Sequence, residues 1–424
     1  MAASAPQEGG CVQSSKDPMS QLDRRQAVTV FLAFAFAYFF AAVLRAITAT
    51  LSPALTAEFR LDAGDLGLLA GGYFLGFALI QLPLGRWLDR FGPRRVILRF
   101  VTLAVAGCAA FALARGFAGL LAARVLCGLG VSACLMAPLT GFRRWFSPPV
   151  QLRTNSWMLM TGSLGMVAST LPVQWLLPHV GWRPLFWGLA VLLALSMFLI
   201  AWRVPDWSTE DATGGPRGSY APVWRHPYFW QMAPVGFFSY GGMIAVQSLW
   251  AGPWLSKVAG WDADAAAGGL FTINLAMLAS FWCWGLVNPW LQRRGILTDR
   301  LIAWGLPLSF VALALLVALG PAAGAGLLAF FCVASTFVSL AQPAVGMVFP
   351  ASLAGRALSA YNLVIFVGVF VVQWGIGLLV DRFRAAGWTE AAAFRGSLGV
   401  FLATSVASWG WFLWAASHNR RHRP

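Results

Sequence analysis

The stretch Gly85-Arg86-Trp87-Leu88-Asp89-Arg90-Phe91-Gly92-Pro93-Arg94-Arg95 decides the fold of this chain. It concentrates glycine and charge between two apolar stretches, because residues 66–85 and 100–114 contain no charged side chain. A helix needs about 20 apolar residues to cross ~30 Å of hydrocarbon. The first flanking stretch has 20 uncharged residues, and the second has 15 and is part of a longer charge-poor segment. The segment between them is therefore predicted to be a short polar turn at a membrane surface.

The composition of the 424 residues excludes a water-soluble globular protein. Hydrophobic residues make up 59% of the chain and charged residues 11%, whereas about a quarter of a soluble domain is charged. Twelve charge-poor segments predict an all-α integral membrane protein, with boundaries expected to be correct within a few residues. They are 28–53, 66–86, 96–114, 118–142, 154–177, 184–203, 228–256, 265–291, 301–319, 325–348, 357–380 and 396–417.

A net charge of +15 is also typical of proteins that bind nucleic acid, but the placement of the positive residues argues against that function. If the N-terminus is cytoplasmic, twenty-one Lys and Arg residues fall in cytoplasmic segments and seven on the other side, while Arg45 and Arg124 fall inside spans. This bias follows the positive-inside rule. It predicts a multi-pass protein of a bacterial-type inner membrane with both termini in the cytoplasm, in contact with lipid and not with nucleic acid.

The N-terminal residues 1–26 are expected to form a disordered cytoplasmic tail. They lack an apolar core followed by a small-residue cleavage site, so we do not expect a signal peptide to be removed. Cys11 lies in this tail and the other five cysteines lie in apolar segments. This pattern favours small buried hydrophobes over a disulfide framework or a metal site, and no cofactor is expected.

The polar interval between Arg203 and Arg225 separates six predicted spans from six. We therefore expect an N-terminal bundle at 27–203, a central cytoplasmic loop at 204–226, a C-terminal bundle at 227–417 and a basic tail at 418–424. Two echoes support a duplication: residues 285–295 match 85–95 in degenerate form, and Gly387-Trp388 matches Gly181-Trp182.

The spacing G-x-x-x-D-R-x-G-x-R-R at 85–95 resembles the signature loop of the major facilitator superfamily, with Pro93 as a departure. The resemblance implies two pseudo-symmetric six-helix bundles that rock around a central site, with helices one, four, seven and ten lining the cavity. It also implies that the loop latches the cytoplasmic ends of the bundles while the cavity faces outward. The latch candidates are Gly85, Asp89, Arg90, Gly92, Arg94 and Arg95; the alternative role of the arginines is only to set the topology.

Two arginines inside spans are candidates for binding the transported solute. Arg45 lies about 25 Å along the first span at ~1.5 Å per residue, and such a cation normally faces a wet cavity or a partner. Arg124 begins the pattern R-x-x-x-G-x-G, which resembles the fourth helix of the same family. Together they would form a pocket for a carboxylate or another oxyanion. In the alternative interpretation Arg45 reaches the membrane interface or pairs with a structural carboxylate, and Arg124 bonds to carbonyls of neighbouring helices.

Acidic side chains are missing from the spans, which argues against a transporter of cationic drugs. None of the fifteen acids lies well inside a span, and the four histidines lie in loops or tails. A proton-coupled carrier usually holds such a group, so coupling would use the protonated substrate, anion exchange or an interfacial group such as Asp381. The fifth span also lacks the G-P-x-x-G-G element of the family's antiporters, and the second and eighth lack the arginines of its nitrate porters.

Uncharged polar residues on other spans are further candidates for substrate binding. They are Gln247, Trp250, Asn274, Gln342, Asn362 and Gln373. The alternative is that these side chains join helices to one another, which polar residues in a bundle commonly do.

The function expected from these patterns is secondary active transport of a small solute by alternating access, and an organic anion is the favoured substrate. We expect a monomer, with a coupling ion left open. One alternative is an exporter of neutral or amphipathic compounds, and another is a membrane sensor of the same fold. An enzyme is not expected, because the chain has no HExxH motif, no paired carboxylates within spans and no phosphate-binding loop.

Overall fold

A computed structural model of the chain describes residues 22–206, 219–294 and 297–421. All regular structure in these residues is helical. This follows from the apolar composition, because a backbone group in hydrocarbon has no water to bond and a helix satisfies its own N–H and C=O groups. Most of the predicted N-terminal tail and the middle of the predicted central loop lie outside the described residues.

Twelve helical spans, here α1 to α12, account for the described residues. They are α1 Arg24–Phe59, α2 63–91, α3 93–113, α4 Phe117–Trp145, α5 148–180, α6 Trp182–Arg203, α7 227–258, α8 Ala263–Arg293, α9 Thr298–Leu319, α10 Ala325–Val348, α11 Ala351–Ala385 and α12 Glu390–Arg421. Nine of them contain a continuous helix long and apolar enough to cross a membrane, whereas α2, α5 and α7 are interrupted. The first helix begins and the last ends within the predicted tails, where Asp23 caps α1 by accepting a bond from Arg24 N.

The helices form two six-helix bundles, α1 to α6 and α7 to α12, which meet mainly where α2 packs on α11 and α5 packs on α8. Successive helices alternate in direction, so the loops fall on two faces. The terminal face carries the first residue of α1, the last residue of α12 and the 85–95 motif. The opposite face carries the α1–α2 and α11–α12 turns.

Turns at matching places show the internal repeat in the backbone. The α1–α2 turn has Arg60 at φ 53° and the α7–α8 turn has Gly260 at φ 71°. The α5–α6 and α11–α12 turns have Gly181 at φ 75° and Gly387 at φ 88°. In each pair the second residue lies 200 or 206 positions after the first.

The predicted polar turn at 85–95 is much shorter than the sequence suggested, and its predicted extent was wrong. Residues 81–91 remain helical and carry α2 beyond its predicted end at residue 86. The chain leaves the helix only at Gly92, with φ 75° and ψ 162°. Charged residues in a helix need no loop to reach water, because the helix satisfies its backbone while its side chains are solvated. The break falls on glycine since a Cβ disfavours positive φ.

Candidate substrate site and gates

Arg45 occupies the middle of α1, among aromatic side chains from both halves. Its guanidinium carbon lies 6.0 Å from the centre of the Phe77 ring, and the hydroxyl groups of Tyr38 and Tyr73 are its polar neighbours. Tyr240 of α7 also lies within electrostatic range of it. Arg45 is partly exposed, but its Nε is buried and makes no hydrogen bond in the described structure. Groups from α1, α2 and α7 therefore surround one cation.

Arg124 lies deeper than Arg45 and does not open to a cavity. Its side chain is 0% exposed, and Nη1 donates to the carbonyl oxygen of Leu44 at 3.0 Å. Its guanidinium carbon lies 5.2 Å from the centre of the Tyr73 ring, while Nε and Nη2 have no hydrogen-bond partner. The structure thus places Arg124 on the carbonyl next to Arg45, as in the helix-joining alternative.

Tyr73 links the two arginines, and the sequence interpretation did not include it. Its ring is fully buried between Arg45 and Arg124, and its hydroxyl donates to the carbonyl oxygen of Ala41 at 3.2 Å. A tyrosine in the middle of an apolar span needs a hydrogen-bond partner, as buried tyrosine hydroxyls do. That requirement was a signal by which Tyr73, Tyr38 and Tyr240 could have been found.

The six uncharged candidates of the C-terminal half bond mainly to one another. Gln247 Nε2 donates to Asn274 Oδ1 at 3.0 Å, which joins α7 to α8. Gln342 Nε2 donates to Asn362 Oδ1 at 2.6 Å, which joins α10 to α11.

The remaining two candidates join α7 to α11. Trp250 Nε1 donates to the carbonyl oxygen of Gln373 at 3.0 Å, and Gln373 Nε2 donates to Ser248 Oγ at 3.3 Å. Gln373 Oε1 is buried and has no partner in the described structure. In this conformation the six side chains act as links between helices.

The backbone of α7 is irregular along much of its length, and one irregular stretch, Val246–Trp250, packs on α1 of the other half. Its stretches Val235–Tyr240, Val246–Trp250 and Trp254–Val258 are π-helical. A π-turn inserts an extra residue into the helix and is frequent at functional sites. Tyr240, Gln247 and Trp250 all lie in these wide turns, which set the directions of the side chains near Arg45.

The 85–95 motif does not tie the two halves together in this conformation. Asp89 is exposed, and no hydrogen bond or ion pair of its carboxylate occurs among the described residues. Arg94 instead holds its own half, through an ion pair with Asp206 at 2.9 Å and a hydrogen bond to Ala201 O. Arg90 lies over the Phe91 ring at 5.2 Å, and Arg95 is exposed.

The segment before α7 also touches the terminal face of the N-terminal half. Tyr220 Oη donates to the carbonyl oxygen of Leu82 at 2.9 Å, and Arg356 Nη1 donates to Ser219 O at 3.1 Å. Burial raises the pKa of Tyr220, which nearby Arg86 and Arg356 oppose. The tyrosine therefore stays protonated and keeps its donor role.

The side-chain hydrogen bonds described between the two bundles themselves lie at the opposite face. Asp381 of α11 accepts from Ala63 N at 3.1 Å and from Gly64 N at 2.6 Å, at the first turn of α2. Gln174 Nε2 of α5 donates to Asp264 Oδ1 of α8 at 3.2 Å. Polar side-chain bonds therefore join the bundles at the opposite face, whereas the described residues of the 85–95 motif bond only within their own half.

The fold defines a helical membrane protein built from two repeated six-helix bundles. The family model described as Major Facilitator Superfamily matches residues 34–373. The chain belongs to the major facilitator superfamily, as its 85–95 motif predicted.

Curated relatives show how varied the similar transporters are. The chain is 30% identical over 168 residues to the inner membrane transport protein YajR of Escherichia coli, covering 38% of this chain and 36% of that protein. It is 27% identical over 155 residues to a 4-hydroxybenzoate transporter of Acinetobacter baylyi (35% and 34%). It is 32% identical over 191 residues to the tetracenomycin C resistance and export protein of Streptomyces glaucescens (42% and 34%). The matches span about a third of the length of these relatives.

A solved structure extends the likeness to nearly the whole fold. The bacterial homologue of the human lysosomal transporter Spinster, in an inward-facing and occupied conformation, has a TM-score of 0.74 at 17% identity. The match covers 93% of this chain and 98% of that one. At this identity the likeness concerns the fold.

The pairing of the uncharged candidates generates a test by double-mutant cycle. We expect Gln247→Ala and Asn274→Ala to be coupled by about 0.6 kcal/mol, and by no more than about 1.7, in the free energy of unfolding in detergent, as is typical of hydrogen bonds between membrane helices. The control cycle combines Gln247→Ala with Gln342→Ala, which belong to separate pairs and should be additive within about 0.5 kcal/mol. Equal coupling in both cycles would show that the first pair has no specific bond.

Proposed function

We propose that this protein is a secondary transporter that moves a small organic anion across the membrane by alternating access, with Arg45 as the anion-binding group. The observation that carries the proposal is that no carboxylate among the described residues pairs with Arg45, although it lies in the middle of a span. An arginine at that depth costs roughly 2.5–3.5 kcal/mol on insertion scales unless it finds a partner. A substrate carboxylate would supply that partner, with two parallel hydrogen bonds to the guanidinium.

The surroundings of Arg45 suit an anion that carries an apolar or aromatic body. Phe77 lies beside Arg45 and 4.4 Å from the Phe366 ring of the other half, centre to centre. Tyr38, Tyr73 and Tyr240 offer hydroxyl donors in the same place. The 4-hydroxybenzoate transporter among the relatives carries a substrate of this kind, which supports the proposal.

A second candidate function is export of neutral or amphipathic compounds. The aromatic contact between Phe74, Phe77 and Phe366 at the meeting of the two halves favours it, because an apolar compound would bind there without a charge partner. The similarity to the tetracenomycin C resistance and export protein also supports this function. It does not account for the cost of Arg45 in the span, and for that reason we rank it second.

The distribution of polar contacts between the bundles supports alternating access. Hydrogen bonds join the bundles at the opposite face, while Asp89, which lies within electrostatic range of Arg143 of its own half, has no described bond to the other half. We also propose that the terminal face is cytoplasmic, because the arginines of 85–95 lie on it. Fusions at the C-terminus would test this: a fluorescent protein should be bright and alkaline phosphatase inactive, and the reverse result would contradict the assignment.

Uptake into proteoliposomes tests the role of Arg45. The panel comprises labelled aromatic and aliphatic carboxylates, sugars and organic cations, with and without a pH gradient. We expect carboxylates to be transported and Arg45→Gln to reduce their uptake at least about tenfold, because a hydrogen bond to a charged group is worth about 1.5–3 kcal/mol. Arg45→Lys should keep part of the activity since it keeps the charge.

The matched control for this experiment is Arg115→Gln, which removes an exposed arginine from the α3–α4 loop. It should leave uptake unchanged. If only neutral or cationic solutes are transported and Arg45→Gln transports them normally, the anion proposal is wrong and the exporter is favoured.

The latch role of the 85–95 motif is tested at Asp89. We expect Asp89→Asn to insert normally and to slow turnover strongly, because the carboxylate would close the terminal face in the outward-facing state. The control is Asp206→Asn, which removes another carboxylate from the same face, the partner of Arg94 within the N-terminal half. Normal turnover in Asp89→Asn, or equal slowing in Asp206→Asn, would remove the latch role.

A further inference from the structure

The first turn of α2 is capped by the other half of the protein. Asp381 of α11 accepts hydrogen bonds from Ala63 N and Gly64 N, at 3.1 and 2.6 Å. These N–H groups have no partner within their own helix and carry the positive end of its dipole. A carboxylate at that position makes charge-assisted bonds, which are about twice as strong as neutral ones. A residue 318 positions away thus performs what is usually a local task.

A local cap for α2 is present but unused. Asp62 occupies the N-cap position with the extended backbone of an N-cap residue, φ −78° and ψ 178°, yet its side chain makes no capping bond. Aspartate is among the best N-cap residues. The comparable Asp262 at the start of α8 does cap its own helix, by accepting from Ala265 N at 2.7 Å. Asp62 therefore has the residue type and the backbone of an N-cap but makes no capping bond while Asp381 holds Ala63 N and Gly64 N.

Glycines on both helices bring the backbones close enough for this contact. A Cβ at Gly64 would lie 2.8 Å from Asp381 Oδ2, and a Cβ at Gly377 would lie 2.3 Å from the carbonyl oxygen of Ala63. Small residues allow such close approach of membrane helices. The contact between Asp381 and α2 therefore depends on bare backbone surfaces from both bundles.

We propose that Asp381 is the latch of the opposite face, and that Asp62 replaces it as the cap of α2 when that face opens. The proposal rests on the alternating access of the proposed function and does not depend on the substrate. When Asp62 takes over from Asp381 as the cap, the first turn of α2 stays capped in both the closed and the open state of this face. This lowers the free-energy difference between the two states, so that α2 and α11 can separate during transport.

The two aspartates are expected to shift the conformational equilibrium in opposite directions. Asp381→Asn weakens the closed state of the opposite face, whereas Asp62→Ala removes the cap from the open state. For Asp381→Asn, the difference between a charged and a neutral acceptor predicts a change of about tenfold in the ratio of open to closed molecules. For Asp62→Ala, the loss of an N-cap acceptor predicts a change of about fivefold in the opposite direction. A merely structural role would lower stability in both variants without this opposition of sign.

Distances between spin labels measure the ratio directly. Labels at Arg115→Cys and Ala322→Cys, both exposed on the opposite face and in different halves, report its opening in nanodiscs. Cys11 and Cys283 are replaced by serine, because Cys283 is exposed and Cys11 lies in the N-terminal segment; the other four cysteines are buried. We expect a longer distance to gain population in Asp381→Asn and to lose population in Asp62→Ala.

Matched variants control for general damage. Asp262→Ala removes the same kind of cap within one half and should leave the distances unchanged. Gly64→Ala should open the face as Asp381→Asn does, whereas Gly268→Ala, whose Cβ would meet nothing within 4 Å, should not. Gly64→Ala thus tests the latch even if Asp381→Asn fails to fold.

The proposal is overturned if Asp381→Asn and Gly64→Ala keep the wild-type distances, or if Asp62→Ala shifts them in the same direction as Asp381→Asn. Failure of the proposed function is visible elsewhere, as an absence of anion uptake. If the spin-label distances change as expected but no anion is taken up, the latch proposal stands and only the proposed substrate class is wrong.

Discussion

The rest of the structure depends on one constraint, that a backbone N–H or C=O group in hydrocarbon must find its partner within the protein. The apolar segments meet it by forming helices, and turns are confined to the faces, where glycine or an αL residue reverses the chain. The same constraint applies to the two places where the backbone departs from a regular α-helix pattern. The π-helical stretches of α7 change the bonding pattern but keep the backbone groups bonded within the helix, and the free N–H groups at the start of α2 are satisfied by another helix.

A related constraint applies to charge inside the spans, because each buried cation requires a hydrogen-bond acceptor or another group that stabilises its charge. Arg124 finds a backbone carbonyl and an aromatic face, and both come from helices of its own bundle. Arg45 has tyrosine hydroxyls and a partly open environment, without a carboxylate among the described residues. The two arginines therefore differ in compensation although they share Tyr73: Arg124 bonds to a helix carbonyl, and in the proposed function Arg45 binds the solute. This difference in compensation is the physical basis of the proposed anion site.

The contacts between the halves suggest how such a site would become accessible from one side at a time. At the opposite face, bare glycine surfaces and Asp381 hold α2 against α11. At the terminal face, the carboxylate of Asp89 is exposed and the nearby arginines bond within their own half. A carboxylate at each face thus depends on the same chemistry, the attraction of a negative group to a helix end or a cation. In the proposed cycle the two faces would engage these groups in alternation.

The sequence by itself determined the number of spans, the two-bundle fold class and the family, because hydrophobic length, turn chemistry and motif spacing are local properties of the chain. It also identified Arg45 and Arg124 as unusual, since a charge within a span is visible in one dimension. Its prediction that the turn extends over 85–95 was wrong, because a helix can continue past the membrane surface and only Gly92 breaks it. Only the tertiary structure decided that Arg124 bonds to Leu44, that Tyr73 lies between the arginines, that Gln247 and Gln342 bond to asparagines, and that Asp381 caps α2 in place of Asp62. These are pairings between helices distant in sequence, and they follow from the side-chain directions that packing imposes, which no local pattern contains.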